Sequence, residues 1–315
     1  MGTGATRSEL WAIASGKGGV GRSFLTANLG YMLAREQGPV TLVDTDCGGG
    51  NLHTFLGLNG EGEGLGSFLQ RRTHDLNEVT RFLDVPGLKL VSGVGNTTEA
   101  LSEAARIRLL QALRRLDAPR VLLDLESGSA PQVLELFARA ERPILLVIPE
   151  PAAVEDAHGF IRRWYLGEVK RLAGRLGLPR KTFDHEVLQT ERRGTVRPME
   201  LLARIDRLLP GSGQPLSESL AQLKLYLVLN QVRHVSDFPI GLALKQVVQS
   251  YFGISVRFAG AIGYDPNAWL STRRRRLRVR EAGAEPLTSQ LSQLAKNLLA
   301  DQELDPPEPP GERDW

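Results

Sequence analysis

Apolar residues fall in short runs along this chain, with stretches of helical spacing between them. Residues 10–14, 40–43, 88–91, 121–125, 144–148, 225–229 and 255–261 are strand-sized, and glycine or proline bounds several of them. That is the pattern of strands buried on both faces in a parallel sheet. The first intervening segment, 23–37, carries Phe24, Leu25, Leu29, Met32 and Leu33 at helical intervals, and Gly38-Pro39 ends it. Further helices are predicted over 98–116, 132–140, 152–176, 239–252 and 287–300. Strand and helix alternate throughout, so the expected class is α/β: a doubly wound, mostly parallel sheet with helices on both faces, forming one domain over residues 1–304.

Two segments break the rhythm. About 45 residues, 177–221, separate a helix from the next strand, long for a connection in such folds. Leu201, Leu202, Ile205, Leu208 and Leu209 predict one helix there, so the segment reads as an ordered insertion with a polar loop around 211–214. Residues 305–315 carry four prolines among acidic residues and are expected to be a disordered tail.

Composition removes several classes. The 39 Lys+Arg and 36 Asp+Glu give a net charge of only +3, too little to make the whole surface a nucleic-acid binder. One cysteine, Cys47, excludes a disulfide framework and a multi-cysteine metal or iron–sulfur site within one chain. No apolar run approaches the roughly 20 residues that span a bilayer, and no secretory signal is visible. A cytoplasmic protein is expected.

Of the 33 glycines, Gly16, Gly18, Gly19 and Gly21 lie between the first strand and the first helix, in Gly16-Lys17-Gly18-Gly19-Val20-Gly21-Arg22-Ser23. Glycines there let the backbone wrap a phosphate, and the helix aims its free N–H groups and dipole at the anion. Ser23 is placed to hold Mg²⁺ through its hydroxyl. With Phe24, the next residue on the helix, these eight form the predicted nucleotide-binding stretch.

Lys17 at the second position makes the stretch resemble the deviant Walker A motif of the MinD/ParA family of P-loop ATPases. That resemblance implies ATP and Mg²⁺ as cofactors. It also implies an ATP-dependent homodimer in which Lys17 reaches the partner's phosphates, like an arginine finger given in trans. The sequence departs at Arg22, where the family has a second lysine. A planar guanidinium keeps the charge and changes the geometry, so normal hydrolysis and slow or absent hydrolysis both stand as expectations.

Asp44-Thr45-Asp46, followed by Gly48, Gly49, Gly50 and Asn51, resembles the family's switch I. Asp46 would orient the attacking water and Asp44 would support the magnesium. The run 121–125 with Asp124, then Glu126 and Gly128, resembles Walker B and switch II. Asp124 would hold Mg²⁺ through water and Gly128 would bend toward the γ-phosphate. Glu126 is unexpected there, and either faces solvent or a basic neighbour or joins the water-positioning set. Asn230 resembles the strand-end asparagine that reads adenine, an amide pairing with both a ring nitrogen and the exocyclic amine.

The segments 51–58, 149–157 and 264–269 look most like the FlhG (FleN) branch, which limits flagellar number or placement. No activating motif of that branch stands at the N-terminus, and no basic amphipathic helix ends the chain. The resemblance therefore implies a switch that positions a flagellum, a division site or DNA through a protein partner. The alternative is a catalytically weak scaffold. Arg273, Arg274, Arg275, Arg276, Arg278 and Arg280 form the one dense basic run. It is either a weak non-specific DNA contact or a solvated helix end. Trp11, Trp164 and Trp269 are expected to anchor the core.

Overall fold

The computed structural model describes residues 7–46, 49–60, 62–93, 101–191 and 197–304. Strands β1 (Glu9–Ala14), β2 (Val40–Asp44), β3 (Thr80–Phe82), β4 (Leu88–Val91), β5 (Arg120–Asp124), β6 (Arg142–Val147), β7 (Lys224–Val232) and β8 (Ser255–Gly263) form one sheet in the order β3-β4-β2-β5-β1-β6-β7-β8. Every pairing is parallel except β3 with β4. The doubly wound parallel sheet expected from the alternation is the one observed. β3, an eighth strand, was not foreseen: three residues with one apolar side chain carry no legible period.

Helix α1 (Arg22–Gln37) follows β1, and its buried Leu25, Leu29, Met32 and Leu33 pack onto the sheet. Gly30 lets it settle there, since a Cβ at that position would stand 2.5 Å from the Leu42 side chain. The short helices α2 (Leu52–Phe55) and α3 (Leu65–Leu69) follow β2, and α4 (Glu103–Leu113) and α5 (Pro131–Ala138) flank β5. Helix α6 (Pro151–Arg175) buries Phe160, Ile161 and Trp164, with Trp164 edge-on to Phe137 at 5.4 Å.

The segment 177–221 differs from expectation. Its described residues hold three helices: α7 (Arg180–Glu191), α8 (Pro198–Leu208) and α9 (Gly213–Ala221). The predicted polar loop shrinks to a turn, and α9 begins inside it at Gly213, whose N–H donates to Asp206 at 2.7 Å. Leu201, Ile205, Leu216 and Leu220 are buried, so the insertion has its own apolar seam against α6. Helices α10 (Phe238–Phe252), α11 (Ala268–Arg273) and α12 (Glu285–Ala300) complete the fold. The expected tail lies outside the described residues, and no described helix is long and apolar enough to cross a membrane. Trp11 and Trp164 are core residues, whereas Trp269 is 59% exposed, contrary to expectation.

Candidate functional site

The loop after β1 turns on two left-handed glycines, Gly19 (φ 80°) and Gly21 (φ 92°), and Gly21 is the residue from which α1 starts. No side chain caps α1, so the N–H groups of its first turn (Arg22, Ser23 and Phe24) are left for a ligand. Gly16 abuts α6: a Cβ there would stand 2.3 Å from the Asp156 carbonyl. The loop is therefore pinned between α6 and the sheet.

Two strand ends meet beneath it. Register places Asp44 of β2 opposite Asp124 of β5, and both carboxylates are buried. Burial first, and then the Asp124 charge, raise the Asp44 pKa to about 7. Asp124 is raised to about 6 by burial, against the lowering effect of Ser23 and Arg22. The Ser23 hydroxyl donates to Asp124 Oδ2 at 2.5 Å, while Asp124 Oδ1 is buried and makes no hydrogen bond. An orphaned carboxylate oxygen beside a serine hydroxyl, under free N–H groups, fits a divalent cation carried in by a phosphate.

Arg22 lies between two of these groups. Its Nη1 donates to Ser15 Oγ at 2.9 Å, and its Nε stands 3.8 Å from Asp124 Oδ1 without hydrogen-bonding. Asp44 accepts from the Asp46 N–H (3.1 Å) and from the Leu52 N–H (3.2 Å), tying it to α2. Asp46 in turn accepts from the Gly49 N–H at 2.8 Å; Cys47 and Gly48 lie outside the described residues. Lys17 stands at the rim, 3.3 Å from Glu150 of its own chain, and both are partly exposed. Gly128 is left-handed (φ 85°) and donates to the Ser15 carbonyl at 3.3 Å, so the segment after β5 touches the loop. Glu126 is half-buried and lines a small apolar pocket with Leu65, Leu69 and Leu101, with no basic residue in the pocket's lining among the described residues.

Asn230 arrives under the loop in a bracing role: its amide nitrogen donates to the Val20 carbonyl at 2.7 Å, and the residue is buried. Two site residues were missed in the sequence. Gln231 adopts a left-handed conformation (φ 57°), and its side-chain amide reaches the Gly19 carbonyl at 3.4 Å. Gly93, just past β4, packs so tightly that a Cβ would stand 2.6 Å from the Asp46 carbonyl and 3.0 Å from the Asp44 carboxyl carbon. A glycine closing a buried strand next to β2 was the available signal. Of the six arginines in the basic run, Arg278 is no surface contact. It is buried, donating to Asp265 at 2.7 Å and to the Ala282 and Gly283 carbonyls.

The chain is similar to known proteins in part of its sequence and in its fold. Residues 7–98 match the ParA family model, described as NUBPL iron-transfer P-loop NTPase. The septum site-determining protein MinD of Synechocystis sp. is 28% identical over 54% of this chain and 65% of its own length. The antiactivator FleN of Pseudomonas aeruginosa is 28% identical over 49% of this chain and 55% of its own. The chain thus spans between half and two thirds of these relatives. Among solved structures, MinD of Aquifex aeolicus superimposes with a TM-score of 0.58 at 19% identity, over 95% of this chain and 99% of that one. MinD of Pyrococcus horikoshii, solved with Mg-ADP, gives 0.57 at 17% identity, over 93% and 97%. The chain thus has the fold of the MinD/ParA P-loop proteins and is similar to them in sequence over part of its length.

Proposed function

We propose that this chain binds ATP with Mg²⁺ and acts as a nucleotide-dependent dimerisation switch. The observation that carries the reading is the uncapped start of α1 above the Ser23–Asp124 pair, with one Asp124 oxygen lacking a hydrogen-bond partner. The N–H groups of Gly18 through Phe24 would hold the phosphates. Ser23, Asp124 and Asp44 would hold the cation, directly or through water. When bound, Mg²⁺ would supply charge that draws electron density from the phosphate oxygens. Asp46, outward of Asp44, would orient water. Asn230 and Gln231 fix the loop edge at the end of β7, where a base would sit. Among the described residues the Lys17 ammonium is held only by a solvent-exposed ion pair, worth under about 1 kcal/mol, which leaves it available to a second copy.

The names of the relatives suggest the biological class: positioning or number control of a cellular structure, with a protein partner. Sedimentation in ATP and in ADP tests the switch. A dimer confined to ATP is expected, and a monomer in both would overturn it.

Arg22 favours a second reading, a nucleotide-binding scaffold with little hydrolysis. Its guanidinium bonds Ser15 and stands 3.8 Å from Asp124, and a planar fork presents its charge differently from a compact ammonium. Phosphate release should then rise about tenfold or more in Arg22→Lys, in the range of restoring one aligned phosphate contact. A wild type as active as the variant would leave the switch as a working ATPase.

A further inference from the structure

The arginine run is not a uniform basic strip. Arg278 is the buried strut of a tight loop after β8, and Arg275 turns the chain in a left-handed conformation (φ 53°), donating to Asn59 at 3.0 Å. The Val279 N–H is held by Asn28 of α1 at 3.1 Å. This frame presents Arg273, Arg274, Arg275, Arg276 and Arg280 to solvent. Arg274, Arg276 and Arg280 line a cleft of about 430 Å³ with Leu270 and Asn267. Arg275, Arg276 and Arg280 line a second, of about 300 Å³, with an apolar floor from Leu56, Val85 and Leu277. Arg276 and Arg280 thus stand between two clefts, and neither pairs with a carboxylate among the described residues. Alongside, Arg273 lies over Trp269, 5.7 Å from its ring centre, with Trp269 59% exposed.

We propose that this surface docks a protein segment in which acidic residues alternate with apolar ones. Three features favour a peptide over a nucleic-acid backbone. The second cleft has a floor of leucine and valine, and Leu270 lines the first; a phosphodiester chain would leave these surfaces wet but a leucine or aromatic side chain would cover them. Their walls carry Asp84 and Glu281, which would repel a continuous line of phosphates but face the gaps between spaced carboxylates. The cleft already accepts a carboxylate from its own chain: Glu281 stands 3.9 Å from Arg274 and takes a hydrogen bond from Ser271. Arginine forks suit such carboxylates, and the exposed Trp269 offers a further apolar anchor.

The surface is separate from the phosphate loop, so its test can fail while the nucleotide reading stands. Fluorescence anisotropy would use the full chain at low ionic strength and a labelled twelve-residue peptide alternating paired glutamates with leucine and tryptophan. Controls are the same peptide with glutamine for glutamate, and a short DNA duplex. Binding should weaken at least about tenfold with the glutamine peptide. It should weaken equally in Arg276→Glu/Arg280→Glu, exposed positions where the fold is retained, as checked by the melting curve. The milder Arg276→Gln/Arg280→Gln pair should fall between. No binding of the acidic peptide, or equal binding by the variants, would overturn the proposal. Tighter binding of the duplex, lost in the same variants, would replace it with a nucleic-acid surface.

Discussion

Two buried carboxylates in register dominate the site at the scale of single residues. Asp44 and Asp124 both have raised pKa values, so the folded protein binds more protons than the unfolded chain between roughly pH 4 and 7. Stability from these groups is full below about pH 4 and is lost as the pH rises through 6 to 7 and both ionise. Without metal or nucleotide, the melting temperature of wild type should therefore carry a downward contribution between about pH 4 and 7. In Asp124→Asn that contribution should shrink, because one charge is gone and the repulsion raising Asp44 is relieved. Asparagine can still meet Ser23, so packing is preserved. Parallel melting curves against pH for the two proteins would contradict the account. Gly16→Ala tests the loop's seat: a Cβ 2.3 Å from the Asp156 carbonyl should cost about 1–3 kcal/mol in urea unfolding, by forcing backbone apart. The loop was legible because dense glycines between a strand and a helix have few other uses. Gly93 and Gln231 were not, since their neighbours at the site are distant in sequence and only the strand order brings them together.

Elements were legible in proportion to their apolar period. Buried strands announced themselves, whereas β3 is an antiparallel edge of three residues ending in Phe82, 78% exposed, and is held by pairing with β4 rather than by burial. The insertion shows the same rule. Helix α8 was visible through Leu201, Leu202 and Ile205, whereas α7 is mostly polar and α9 begins at a glycine in a stretch that reads as turn. Its three helices act as a packed layer: Ile205 and Leu216 are fully buried. Ile205→Ala should then cost about 2–4 kcal/mol in urea unfolding, as for a core cavity, whereas a loosely attached appendage would lose well under 1.

Across the whole molecule, winding outward from β1 brings residues 16–24, 44, 124 and 230 to the carboxyl ends of the strands, the usual place for a ligand in such folds. The same arrangement connects that end of the sheet to the arginine surface. Leu52 opens α2 and gives its N–H to Asp44, while the turns after α2 meet the arginine loop: Arg275 bonds Asn59, and its carbonyl stands 3.0 Å from where a Cβ on Gly57 would be. Helix α2 has four residues, too few to be stable alone, so its order depends on its attachments: these two, the buried Leu52, and Phe55 edge-on to Phe24 of α1. Removing one in Arg275→Ala deletes a hydrogen bond worth about 1 kcal/mol, or roughly fivefold in local opening. Amide exchange at Leu56 and Leu58, whose N–H groups bond the His53 carbonyl, should quicken by that factor while α12 stays unchanged. Nucleotide with Mg²⁺, by fixing Asp44, should slow the same amides in wild type and recover part of the loss in the variant. Exchange at α2 that ignores both the arginine and the nucleotide would mean that the two faces of the molecule are not joined through this helix.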